Sequence, residues 1–270
     1  MPDEEIGGGQ ASAPTKRVLV IVPFPFDEEG VENRRRQLAQ VRTDPAIEFV
    51  YRPVKASPDW FDSYHDYLLG DIGAFEAGVA AEAEGFDAVV LDTVSDSGVQ
   101  ALRSVLDIPV VGAGRTMYLT ALMLGDRFSV LTMWGPWEAS YRKMLREYGL
   151  SDRCASIRSI DVAPDVRNLL DGKQDAPELL RAAGQRCIEE DGADVLLIGS
   201  TTMHEAASYL QERLPVPVVS PGPLSYKIVE ALLALDLSQS RVAYGRPHAP
   251  KAEMVHAMLT AAARADRPRV

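Results

Sequence analysis

Cysteine is scarce in this chain of 270 residues: there are two, Cys154 and Cys187. Two cysteines exclude a disulfide-stapled scaffold, and no Cys/His spacing of a zinc site accompanies them. Long apolar runs are missing as well, since none approaches the ~20 residues that a membrane-spanning helix needs. Positive charge is in deficit, with 28 Lys plus Arg against 39 Asp plus Glu and a formal net charge of −11. That balance argues against nucleic-acid or anionic-membrane partners, whose phosphates require a basic footprint. No Walker or dinucleotide glycine fingerprint occurs, so no cofactor is expected, and His65, His248 and His256 lack the spacing of metal ligands. The first residues are acidic and rich in Gly, Ala and Ser, without the basic start and apolar centre of a signal peptide. Residues 1–15 are therefore expected to form a flexible tail, and the compartment to be the cytoplasm. A small-molecule substrate and a homo-oligomer are the expected partners.

What the chain does have is a regular alternation. Short apolar runs ending in Gly, Pro or small polar residues alternate with amphipathic stretches of helix length, the pattern of an α/β protein with mostly parallel sheets. Strands are expected at 17–23, 48–54, 87–92, 108–111, 128–132, 156–162, 195–199 and 216–219, and helices at 71–83, 99–106, 136–148, 176–190, 204–213 and 224–234. Wholly apolar strands such as VLLIG imply burial on both faces.

An internal repeat organises these elements. DAVVLDTVSDSG, from Asp87, leads through a helix to DIPVVGAG, and ADVLLIGSTTMH, from Ala193, leads through a helix to PVPVVSPG. The spacing from Asp87 to Pro109 is 22 positions, and from Asp194 to Pro217 it is 23. Two pseudo-symmetric α/β lobes with an interlobe cleft follow, the first from residues 16–113 plus 221–270 and the second from 114–220. Ligands of open α/β sheets bind beyond the carboxyl ends of the strands. The repeat places Thr93 and Ser200 at equivalent strand ends facing each other, with Ser95, Asp96 and Ser97 around one and Thr201, Thr202 and His204 around the other. Such turns hold small anionic or imide-like groups through hydroxyls and backbone amides.

The stretches RVLVIVPF, DAVVLDTVSDSGVQALRSVLDIPVVGAG, LGDRFSVLTMW, YGLSDRCASIRSI, CIEEDGADVLLIGSTTM and LPVPVVSPGPLSYKIVEALL, in order over roughly four-fifths of the chain, carry a resemblance. The sequence resembles the aspartate/glutamate/hydantoin racemase superfamily, most closely its hydantoin (allantoin) racemase branch. The resemblance implies two lobes and two facing cysteines, one removing a proton alpha to a carbonyl and the other returning it to the opposite face. Those cysteines fall on Thr93 and Ser200 here, so both are replaced. Cys154 and Cys187 lie elsewhere and are expected to be structural. Unassisted hydroxyls stay protonated near neutral pH, which disfavours a two-thiol type of proton relay.

Other departures follow the same direction. An Asn-Pro-Asn-Thr-like turn in that branch is Val22-Pro23-Phe24-Pro25-Phe26 here, which implies a bulkier or less polar substrate group at Pro23 and Phe24, or simple packing of the rings on the first helix. Thr132 retains the family's hydroxyl and is expected at the ligand. Asp92, beside Thr93, is a candidate general acid or base, or else a helix cap or the partner of an arginine. Asp96 is expected to cap the next helix or to bind the ligand. His204 is a candidate base for Ser200. Tyr118 with Arg115, and Tyr226 with Lys227, follow the Gly112-Ala113-Gly114 and Pro221-Gly222-Pro223 turns and are expected at the cleft mouth or on the solvated surface. Arg34-Arg35-Arg36 reads as a solvated helix face or an interlobe salt-bridge donor.

Three functions remain open. One is an isomerase or lyase working on a small carboxylate or hydantoin-like substrate through an enolate or carbanion, with Thr93, Ser200 and nearby amides as an oxyanion cradle. The others are a hydrolase using Ser200 as nucleophile and a non-catalytic binding protein.

Overall fold

The computed structural model describes residues 15–163 and 175–265. The proposed tail therefore lies almost wholly outside the described residues. Among the described residues, eight parallel strands form two four-stranded sheets. The first contains β1 (Lys16–Val22), β2 (Ile47–Pro53), β3 (Ala88–Leu91) and β4 (Val110–Gly112) in the order β2-β1-β3-β4. The second contains β5 (Phe128–Thr132), β6 (Cys154–Ser159), β7 (Val195–Ile198) and β8 (Val218–Val219) in the order β6-β5-β7-β8. The shared order is the internal repeat made visible: each lobe has its topological switch between its first and third strands, where a ligand crevice opens.

Helices cover both faces of each sheet, as the apolar strands require. Leu19, Ile21, Val89 and Leu91 meet α2 (Tyr64–Gly78) and α3 (Val99–Val105) on one face of the first sheet. Val18, Val20 and Val90 meet Tyr226 and Val229 of α8 (Pro221–Ala234) on the other. In the second sheet Leu131, Leu196 and Ile198 pack beneath α6 (Ala176–Glu189) and α7 (His204–Gln211). Val130, Val195 and Leu197 pack beneath α4 (Ala113–Leu124) and α5 (Glu138–Glu147). Each fully buried aliphatic side chain contributes about 1.5–3 kcal/mol, so these double-sided strands supply most of the rigidity beneath the strand ends.

Two helices start where turns were expected. Ala113 begins α4 directly after β4, and Pro221 begins α8 directly after β8. Proline suits the first helical position because its missing N–H would have no partner there anyway. The two helices pack on one another, while α4 also contacts β7 and β8 and α8 contacts β3 and β4. Thus α4, which follows the last strand of the first sheet, packs on the second, and α8, which follows the last strand of the second, packs on the first. The remaining α-helices among the described residues are α1 (Glu28–Arg35), capped by the Asp27 carboxylate on Gly30 N–H, and α9 (Ala252–Arg264), which lies on α2. No helix among the described residues is long and apolar enough to cross a membrane.

Candidate active site

Thr93 and Ser200 stand just beyond β3 and β7 and line one cleft of about 570 Å³, counted with its open mouth. Each begins the same small turn. In the first lobe the Ser95 N–H donates to Thr93 Oγ1 at 3.4 Å, and the two hydroxyls lie 2.9 Å apart. In the second the Thr202 N–H donates to Ser200 Oγ at 3.3 Å, and those hydroxyls lie 3.0 Å apart. Hydroxyl-to-backbone turns of this kind fix the side chains without an enclosing helix. Four hydroxyls on two opposed turns therefore share one cleft.

One part of the cleft is apolar. Pro23, Phe24, Phe61 and Trp137 line it, with Phe24 packed edge-on to Phe61 at 5.3 Å between centroids. Phe26, by contrast, turns away and packs on Gly30 of α1. An apolar wall with a few fixed polar groups is the usual make-up of a small-molecule pocket.

Beneath the turns lies a buried polar layer. The Arg34 guanidinium donates from Nη1 to Asp92 Oδ2 at 3.3 Å and to Thr201 Oγ1 at 3.2 Å. Asp92 thus takes the arginine-paired alternative while still bordering the cleft. Thr201 Oγ1 in turn donates to the Asp92 carbonyl at 3.3 Å. In the second lobe Tyr141 Oη donates to the Gly199 carbonyl at 2.6 Å and pairs with Thr132 Oγ1 at 3.1 Å. Thr132 consequently sits behind Tyr141, and Tyr141, not Thr132, reaches the cleft. Burial pushes the Tyr141 phenol well above its ordinary range, so it remains a proton donor.

Several expected residues are elsewhere. Tyr118 and Tyr226 are fully buried and do not aim at the cleft mouth: the expected turns are already helical, which rotates Tyr118 into the second-lobe core and Tyr226 into the first. The Tyr226 hydroxyl is paired with that of Tyr51 at 2.7 Å. Arg115 donates to Tyr244, and Lys227 to the Arg42 carbonyl. Asp96 lies outside the cleft and caps α4 rather than the adjacent α3. It accepts the Gly114 and Arg115 N–H groups at 2.8 and 2.7 Å and the Tyr148 hydroxyl at 2.7 Å. Gly112 is required there, because a Cβ would stand 2.5 Å from that carboxyl group.

The Ser–His pair is not formed: Ser200 Oγ is paired with Thr202, and among the described residues His204 Nδ1 has no hydrogen-bond partner. Neither cysteine lines the cleft. Cys187 is on the buried face of α6, and burial raises the Cys154 thiol to about 11. Arg34, Ser140, Tyr141 and Trp137 were not singled out as site residues from the sequence. Their signal was only positional, since α1 and the segment from Trp137 into α5 each follow the first strand of a lobe.

The geometry agrees with comparisons to known proteins. The Asp/Glu/hydantoin racemase family model matches residues 31–228. A hydantoin racemase of Pseudomonas sp. (strain NS671) is 32% identical over 217 residues, covering 79% of this chain and 84% of that protein. A hydantoin racemase of Paenarthrobacter aurescens is 27% identical over 235 residues, covering 86% and 97%. Among solved structures, allantoin racemase from Klebsiella pneumoniae matches with a TM-score of 0.77 at 27% identity, covering 87% of this chain and 95% of that one. With the match running through both sheets and both hydroxyl-bearing turns, the chain belongs to the Asp/Glu/hydantoin racemase family.

Proposed function

We propose that this racemase-type enzyme forms an enolate- or carbanion-like intermediate from a small carboxylate or hydantoin-like substrate, without thiol chemistry. The observation that carries the reading is the twinned arrangement of Thr93 with Ser95 and Ser200 with Thr202 across one cleft. Donors fixed before reaction stabilise charge where it develops, and removing one such donor typically costs about 10²–10³ in rate. The hydroxyls and amides of the two turns supply that cradle for an enolate oxygen. The Phe24, Phe61 and Trp137 wall accepts the apolar substituent on the reacting carbon. The similarity to hydantoin and allantoin racemases supports a ring imide or ureide as the acidifying group. No described contact makes Ser200 an activated nucleophile, so the hydrolase reading has no support of its own.

Incubation in D2O with 5-benzylhydantoin, allantoin and phenylmalonate tests the reading. Carbon-bound deuterium in recovered ligand is expected for at least one. Binding of a probe by calorimetry, with no deuterium gained on the acidic carbon of any of the three, refutes it.

A further inference from the structure

The hydroxyl cradle lacks a base, because neutral hydroxyls are feeble proton acceptors. Among the described residues lining the cleft, only Arg34 and Asp92 carry charge, and their side chains meet at 3.3 Å, almost wholly buried. The Asp92 N–H donates to the Ile21 carbonyl at 3.0 Å, which fixes the residue beside Thr93 at the switch point between β1 and β3. The internal repeat sets Gly199 in the matching place of the second lobe, where its N–H makes the same bond to the Leu131 carbonyl at 2.8 Å. Gly199 brings no side chain, and the Tyr141 phenol oxygen fills the space that a Cβ would need. One strand end therefore offers a carboxylate paired to a cation, and its twin offers a neutral phenol. Arg34 also has donor capacity to spare: both of its hydrogen bonds leave from Nη1, and Nε has no partner among the described residues. Buried donors are seldom left unpaired, and a ligand oxygen would supply the acceptor.

We infer that Asp92 is the base of the reaction proposed above, on which this inference rests, and that Arg34 holds the enolate so formed. The substrate C–H bond breaks, an O–H bond forms on the Asp92 carboxylate, and the C–H electron pair stays on the substrate as the enolate. Negative charge thus moves from Asp92 to the enolate oxygen while the guanidinium keeps its charge. The Arg34–Asp92 ion pair becomes an Arg34–enolate ion pair, so the buried site never holds an uncompensated charge. The reverse step returns a proton to carbon, or a deuteron once the Asp92 carboxyl has exchanged with D2O. The hydroxyls of Thr93 and Ser200 then need only donate hydrogen bonds, which neutral hydroxyls do well.

Asp92→Asn keeps the shape of the side chain and an oxygen for Arg34 but cannot take the proton. It is expected to slow deuterium entry into 5-benzylhydantoin, or whichever probe the parent protein exchanges, by about 100-fold, with probe affinity by calorimetry retained. Asp92→Ala should regain exchange in added formate, whose carboxylate enters the vacated space, a readout that a purely structural role would not move. Arg34→Lys, which keeps the cation and loses the planar fork, should lower the exchange rate at saturating probe more than it lowers affinity; an unchanged rate overturns the part given to Arg34. Should Asp92→Asn fail to fold, Arg34→Met with Asp92→Asn removes both charges together and carries the same test. A parental rate per folded molecule in either, or a loss in folded Asp92→Ala that formate does not restore, overturns Asp92 as the base and leaves the enolate reading intact. Absence of exchange in the parent with all three probes, one of them bound, overturns both.

Discussion

Arg34 and Thr201 stand 167 positions apart in sequence, yet the Arg34 guanidinium donates to the Thr201 hydroxyl at 3.2 Å and so ties α1 of one lobe to the strand-end turn of the other. The same Nη1 faces Asp92, and the two side chains are only 6% and 2% exposed. A buried ion pair adds little over a well-packed apolar pair, but removing one partner strands the other charge. Arg34→Met should therefore cost about 3–5 kcal/mol in urea denaturation, and Arg34→Met with Asp92→Asn markedly less. A single substitution within about 0.5 kcal/mol of the parent would show that the bridge carries no stability.

Much of this arrangement was legible in the sequence. The repeat located both switch points, because strand, turn and helix recur at nearly equal spacing and neighbouring residues build them. Arg34 was legible only as one of two alternatives, since an arginine on α1 meets Asp92 and Thr201 through folding over long separations. Tyr118 and Tyr226 were misplaced for a local reason: Gly-Ala-Gly and Pro-Gly-Pro read as turns, but tertiary packing makes both segments helical. Asp96 shows the same limit. Its φ of 51° lifts it out of the adjacent helix start, and the N–H groups it caps lie 18 and 19 positions away.

The two cysteines should be dispensable. Burial pushes both thiols up, Cys154 to about 11, so little thiolate exists near neutral pH. A variant with Cys154→Ala and Cys187→Ala, measured by deuterium exchange, is expected to keep the parental rate once corrected for folded fraction. Loss of exchange at constant folded fraction would restore a thiol mechanism.

Gly199 and Tyr141 should be coupled. A Cβ on Gly199 would stand 2.5 Å from the Tyr141 hydroxyl oxygen, the atom that donates to the Gly199 carbonyl. Gly199→Ala is expected to lower stability by about 1–3 kcal/mol through overpacking. In a Tyr141→Phe background that penalty should shrink, because the obstructing oxygen is gone. Additive melting-temperature shifts across the four proteins would contradict the coupling.

Stability should depend on pH through His204. Burial lowers its pKa below the ordinary value, so the folded protein holds it neutral while the unfolded chain protonates it more readily. The contribution is therefore present above about pH 6.5 and lost as pH falls from there through the lower folded value, by at most about 1.4 kcal/mol per unit. The difference between the parent and His204→Asn isolates this group from Asp71 and Asp96, whose carboxyls burial raises. A pH-independent difference between pH 5 and 7.5 would assign His204 no such role.

The last consequence concerns stereochemistry. A racemase needs proton transfer on both faces of the reacting carbon, and a single working relay serves only one. Here the first lobe joins three hydroxyls in line, Thr93, Ser95 and Ser97, while the second stops at Thr202 with an unpartnered His204 Nδ1 among the described residues. Protons should therefore leave and return from the first-lobe side. One enantiomer of a 5-substituted hydantoin is expected to exchange its ring C–H for C–D with retention of configuration, and its mirror image to exchange far more slowly. Chiral chromatography coupled to mass spectrometry separates the cases: deuterium gained in step with loss of optical purity means that both faces are served and that the second lobe supplies a base of its own, for which His204→Asn is the next variant to measure.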